Sequence, residues 1–172
     1  KNILLGLQNH EYARAMNSKS FGSNWQSVYA ISGAFGFFTT ERLKYLMPQQ
    51  TEVFAGEDLE KTLIDLVNNG KTEYLDQLVE TDVPQTAARL INQRVFSWWP
   101  GLWRCFPLFV RLLFKKQASI ALRFEVFYQL LSTATEPLKL YSLILLFAHK
   151  QWGMLLELYF LYFFLELFVG LR

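Results

Sequence analysis

Apolar and polar positions change character near residue 100, and that change divides the predicted elements into two sets. Up to Pro100, apolar residues come in short groups separated by charges and turn formers, whereas from Leu102 onward long runs of Leu, Phe and Tyr are broken by isolated charges. In the first set, Ile3, Leu4, Leu7, Tyr12 and Ala15 predict a helix of modest amphipathicity over residues 2–16. Residues 17–24, rich in Ser, Asn and Gly, predict a loop, and the β-prone residues 25–31 a strand. Gly33 and Gly36 mark a turn before a short helix over 40–45. Leu59, Leu63, Leu66 and Val67 share one face of a helix over about 57–68 that Gly70 stops. Residues 73–75 are β-capable, and Pro84 behind a Thr or Asp cap opens a helix through Leu90 and Ile91.

The second set predicts contact with lipid. Trp103, Phe106, Leu108, Phe109, Leu112, Leu113 and Phe114 alternate with Arg104, Arg111, Lys115 and Lys116, a run too charged and too short to span, which predicts an amphipathic helix in the headgroup plane over 102–122. Residues 126–148 and 152–171 are each long enough for one crossing, and only His149, Lys150 and Gln151 lie between them, so they predict an antiparallel hairpin. Arg104, Arg111, Lys115, Lys116 and Arg123 before the first crossing, with Arg172 after the second, place both ends in the cytoplasm by the positive-inside rule. A charged residue at the centre of a spanning helix costs about 2.5–3.5 kcal/mol. Glu136 therefore either pairs with Lys139 at i, i+3 or faces a channel. Glu157 and Glu166, at about 100° per residue, point to opposite faces.

Composition adds exclusions. A net charge of +2 with no Lys/Arg tract argues against nucleic acid as a partner. The lone Cys105 excludes an internal disulfide and a cysteine-based metal cluster, and reads first as a small buried apolar residue. His10 and His149 are too far apart to suggest a metal site, and no Asp-x-Asp occurs. The opening residues soon turn polar and hold no small-residue cleavage site, so no signal peptide is expected, and a start without Met suggests a longer product.

Three stretches could carry chemistry. Ser32-Gly33-Ala34-Phe35-Gly36 is either a close-approach segment or an ordinary glycine turn. Glu57 and Asp58 open a helix, where the dipole favours carboxylates whether or not they catalyse. Gln93-Arg94-Val95-Phe96-Ser97-Trp98-Trp99-Pro100-Gly101 is either a binding motif or a pair of interfacial tryptophan anchors.

In order and at these spacings, the glycine segment, Gly56-Glu57-Asp58, Pro84-Gln85-Thr86 and Gln93-Arg94 resemble the second half of a family 2 glycosyltransferase. The likeness is to the membrane-embedded polysaccharide synthases that make poly-N-acetylglucosamine, hyaluronan, chitin or cellulose. It implies an α/β plus transmembrane α chain. Residues 1–101 would form the C-terminal part of a GT-A, Rossmann-like domain, 102–122 the interfacial helix and 123–172 two transmembrane helices. It also implies a multi-pass protein of the inner or plasma membrane with its catalytic part in the cytoplasm.

By the same resemblance Asp58 is the general base of an inverting transfer from a nucleotide sugar, most simply a UDP-sugar, and Glu57 its orienting neighbour. Ser32 and Gly33 would line the floor of the sugar cleft. Gln93 and Arg94 would contact the diphosphate or acceptor, and Trp98 would stack beneath the acceptor sugar. The family pattern Gln-Arg-x-Arg-Trp is altered here: Phe96 replaces the second Arg and Ser97 the Trp, with Trp98 one place later. A divalent metal, Mg or Mn, would be held by residues upstream, with no metal site in this segment. The partners implied are the nucleotide sugar, a polysaccharide or lipid acceptor, membrane lipids, and an accessory membrane or export subunit. Three functions stay open: a processive synthase, a non-processive transferase to a lipid acceptor, and a non-catalytic membrane partner derived from a transferase.

Overall fold

The computed structural model describes residues 3–31, 33, 35–51, 56–77, 80–158 and 160–161. The chain divides into two compact units, Lys1–Phe127 and Tyr128–Arg172. Its elements are α1 (Ile3–Ser23), α2 (Thr40–Leu46) running into a 3-10 turn at Met47–Gln49, α3 (Glu57–Val67), α4 (Ala87–Asn92), a π-helical turn at Gln93–Trp98, α5 (Trp99–Arg104), α6 (Phe106–Leu113) and α7 (Ile120–Ala148).

The core of the first unit forms around α3, whose residues Thr62, Leu63, Ile64, Asp65 and Leu66 are all buried. The helix packs chiefly on α6, and Leu46, Phe109, Leu112, Leu122 and Val126 complete the buried set. Tyr29 meets Phe109 edge to face, ring centroids 5.9 Å apart. The C-terminal carbonyls of α3 take cations, as a helix dipole favours. Lys115 Nζ donates to the carbonyls of Leu66 (3.0 Å) and Val67 (2.6 Å). Arg42 donates through Nε to the Asp65 carboxylate and through Nη2 to the carbonyls of Asp65 (3.2 Å) and Asn68 (3.1 Å).

Three helices end alike. Gln26 (φ 52°), Asn69 (φ 63°) and Lys150 (φ 54°) each take the left-handed position that follows a helix, and the next residue's N–H reaches back five residues. Those bonds are Ser27 to Gly22 (2.9 Å), Gly70 to Asp65 (2.8 Å) and Gln151 to Leu146 (2.9 Å). The stop of α3 is therefore a left-handed Asn69, while Gly70 is required for space: a Cβ there would lie 2.1 Å from Asp65 Oδ2.

The expected α/β, Rossmann-like architecture is overturned, because the described residues are helical and form no strand. Residues 27–31 are irregular, and much of their backbone bonding goes to side chains. Ile31 N–H donates to Thr62 Oγ1 (3.2 Å), and Val28 C=O accepts from the Thr72 hydroxyl. Tyr74 N–H, in the second β-capable run, donates to Ser23 Oγ (3.0 Å). With those groups satisfied by Ser and Thr, β-prone side chains do not make a ladder. The expected loop over 17–24 is likewise helical as far as Ser23. Nor is α1 amphipathic in the predicted sense: Ile3 and Leu7 are exposed and Gln8 is buried. Gln8 is drawn inward by the bond from its Nε2 to the Pro84 carbonyl, 2.8 Å.

The short helix at Thr40 and the helix at Glu57 lie where the sequence puts them. Thr39 caps the first, its Oγ1 accepting from Arg42 N–H at 3.3 Å. The helix behind Pro84 starts at Ala87 under a Thr86 cap. Pro100 then accounts for the π turn. It has no N–H for the Phe96 carbonyl and would collide with it in α register, and the wider turn lets Trp99 N–H donate to Arg94 C=O instead. The run over 102–122 is broken at Cys105, where Pro107 opens α6, and again before Ser119, whose Oγ accepts from Leu122 N–H (3.0 Å) at the start of α7.

In the second unit the C-terminal part of α7 turns at His149–Gln151 and helix resumes over 152–158, with Phe147 edge-on to Trp152 at 5.2 Å. α7 has 29 residues, enough length to cross a bilayer. However, Arg123, Glu125, Gln129, Glu136 and Lys139 interrupt its apolar positions, and among the described residues no helix is long and apolar enough to cross a membrane. The expected spanning helix over 126–148, and with it the multi-pass inner- or plasma-membrane placement, is overturned on that ground. The second expected crossing, with Glu166, lies largely outside the described residues.

Candidate functional site

Asp58 stands in the first turn of α3, and two backbone amides fix its carboxylate. Gly33 N–H donates to Oδ2 and Leu59 N–H to Oδ1, each at 2.8 Å. The glycine segment is brought there by Thr62. Its hydroxyl donates to the Asp58 carbonyl (2.7 Å) while its oxygen accepts from Ile31 N–H two residues before Gly33. Ser32 lies outside the described residues. Glu57 is exposed, its carbonyl accepting from Gln50 Nε2 at 3.0 Å. Glu60, one turn on, holds Thr51 through N–H (3.2 Å) and hydroxyl (2.8 Å).

The second group sits on the π turn. The Arg94 guanidinium lies 3.5 Å from the centre of the Trp98 ring and donates through Nη2 to Glu11 Oε2 at 2.8 Å. Because the turn closes i to i+5, the fourth residue along stands over Arg94, so the tryptophan that comes one place late in sequence still reaches it. Gln93 Oε1 is buried and has no hydrogen-bond donor among the described residues.

The two groups approach through glycines. Gly56, at φ 89°, precedes Asp58 by two residues, and a Cβ on it would lie 3.1 Å from the Cα of Gly101, three residues past Trp98. α1 supplies a charged side chain to each group. Gln8, Glu11, Lys19 and Gly22 fall within an arc of about 80° on it, with Glu11 on Arg94 and Lys19 within electrostatic reach of Asp58. Burial lowers the pKa of the Lys19 ammonium, and the negative charge of Asp58 opposes that shift. Burial pushes the Cys105 thiol up to about 12, Glu60 and Asp58 adding in the same direction. Glu11 and Lys19 are not legible as site residues while α1 is ended at Met16. Continuing the helix to Ser23 is the signal that puts them on one face.

Among the described residues no group of three or more His, Cys, Asp or Glu side chains is placed to hold a metal ion. Asp58 directs its carboxylate at amides, Glu57 projects outward, and Glu60 is engaged by Thr51. The resemblance assigns the divalent metal to residues upstream, and these three carboxylates are not grouped to hold one. No family profile, curated protein or solved structure matches the chain.

Proposed function

We propose that the chain serves glycosyl transfer, with Asp58 as the base that activates an acceptor hydroxyl toward a nucleotide sugar. The observation that carries this reading is the pair of amide bonds on Asp58. They occupy two of about four lone-pair positions on the carboxylate, fix its plane, and leave the others for a hydroxyl proton. In the step, the acceptor oxygen attacks the anomeric carbon as its proton passes to Asp58, and the bond to the diphosphate breaks with the electron pair leaving on the diphosphate. Arg94 on Trp98 supplies a flat cation and an aromatic face of the kind that anions and sugar rings bind.

A second reading, a non-catalytic partner derived from a transferase, draws on the pairing of Arg94 with Glu11, which takes up part of the guanidinium. Radiolabelled sugar transfer from a UDP-sugar, measured on the purified full-length protein and on Asp58→Asn, separates the two. The base reading expects a loss of about 10²–10⁴ in rate with donor binding retained. Equal rates would overturn it, and donor binding without transfer in either protein would favour the second reading.

A further inference from the structure

At the far end of α3, roughly 15 Å along the helix from Asp58, a cavity of about 220 Å³ opens between the end of that helix and the segment leading into α7. Leu66 and Leu122 form an apolar floor, and Lys71, Lys115, Asn69 and Gln117 are among the polar walls. No Asp or Glu lines it. The Asp65 carboxylate, against Gly70, is held by Arg42. Two cations, Lys71 and Lys115, thus line the cavity, and no carboxylate does.

The lysines differ in commitment. Two protons of Lys115 go to the Leu66 and Val67 carbonyls, which leaves one, while Lys71 is exposed and pairs with no carboxylate among the described residues. Gln117 and Asn69 add neutral donors to the same walls. A whole nucleotide exceeds this space, since sites for ligands of drug size occupy about 300–1,000 Å³. We infer that this cavity is a binding site for a compact oxyanion of the phosphate class, held by Lys71 and the remaining Lys115 proton. Burial and the Arg42 charge both lower the Lys115 pKa, and an anion seated here would counter the Arg42 effect. The site is separate from the Asp58 group and does not depend on the function proposed above.

Isothermal titration of the full chain with inorganic phosphate at low ionic strength tests it. The expected result is one site, weakened about tenfold or more in Lys71→Ala, as the loss of one charge-assisted hydrogen bond implies, and retained in Lys71→Arg. Lys44→Ala, which removes an exposed charge on α2, should bind as wild type does. Competition by glycerol phosphate would support the site and show that an esterified phosphate enters, whereas phosphate binding without such competition would support it for the free ion. No binding by the wild-type chain, or equal weakening in Lys44→Ala and Lys71→Ala, would overturn the assignment.

Discussion

The amide of Gly33 and Oδ2 of Asp58 meet across 2.8 Å, and a Cβ built on Gly33 would lie 2.9 Å from that oxygen and 3.3 Å from Cγ. The space between turn and carboxylate is therefore that of a glycine. Gly33→Ala should swing Asp58 off its amide rather than unfold the chain, because the position is exposed. Displacement of a catalytic group by about 1 Å can cost 10²-fold, so transfer should fall by about that factor while the thermal midpoint moves by no more than a few degrees. Unchanged transfer in a folded Gly33→Ala protein would show that this bond has no part in the chemistry.

Gly56 faces a different obstacle. Its φ of 89° disfavours any residue with a Cβ, and that Cβ would meet the Cα of Gly101 at 3.1 Å, backbone that cannot rotate away. Strain of this kind costs about 1–3 kcal/mol, so Gly56→Ala should lower the urea midpoint accordingly. Gly6→Ala, with open space around its Cβ, should be neutral or slightly stabilising. Equal midpoints for the two variants would contradict the close approach.

Local signals were legible where one residue decides the outcome alone. The short helix at Thr40 forms where expected and the Leu63 and Leu66 face of α3 is buried, whereas the helix behind Pro84 begins only at Ala87, capped by Thr86 and not by the Thr or Asp before Pro84. Misreadings arose where a distant partner decides. The β-prone side chains of residues 25–31 imply a ladder, but side chains more than thirty residues away satisfy that backbone: Thr62 accepts from Ile31 N–H and Thr72 donates to the Val28 carbonyl. The Ser- and Asn-rich end of α1 looks like a loop until Gly22 and Ser27 close its last turn. In the site, the sequence points to Asp58, Gly33, Arg94 and Trp98, and two pairs of them meet. Glu11 and Lys19 are not legible there because their roles depend on the path of α1.

Asp65 tests how far one buried charge supports α3. Its side chain is 7% exposed and its carboxylate receives Arg42, which also bonds the last carbonyls of the helix. Removing one member of a buried pair strands the other, at about 3–5 kcal/mol. Asp65→Ala should thus lose about 3 kcal/mol in chemical denaturation. The paired change Asp65→Ala with Arg42→Met should recover part of that loss, since no unmatched guanidinium remains. A double variant less stable than the sum of the single changes would show that the pair is not a unit.

Cys105 supplies the pH test. It is 2% exposed, in the break between α5 and α6, and its thiol is pushed up to about 12, first by burial and then by Glu60 and Asp58. A thiol in an unfolded chain titrates near about 8.5. Because the folded value is the higher one, the unfolded chain gains a thiolate that the folded chain resists. The contribution to stability is therefore fully present below about 8.5 and is lost as pH rises toward about 12. Urea midpoints should fall more steeply across that window for the wild type than for Cys105→Ala, which isolates this group from the tyrosines and lysines that titrate nearby. At pH 8 a thiol reagent should label the native protein only as fast as it opens, and labelling should become immediate in denaturing urea. Native labelling at the rate of a free thiol would show that Cys105 is not enclosed by α5 and α6.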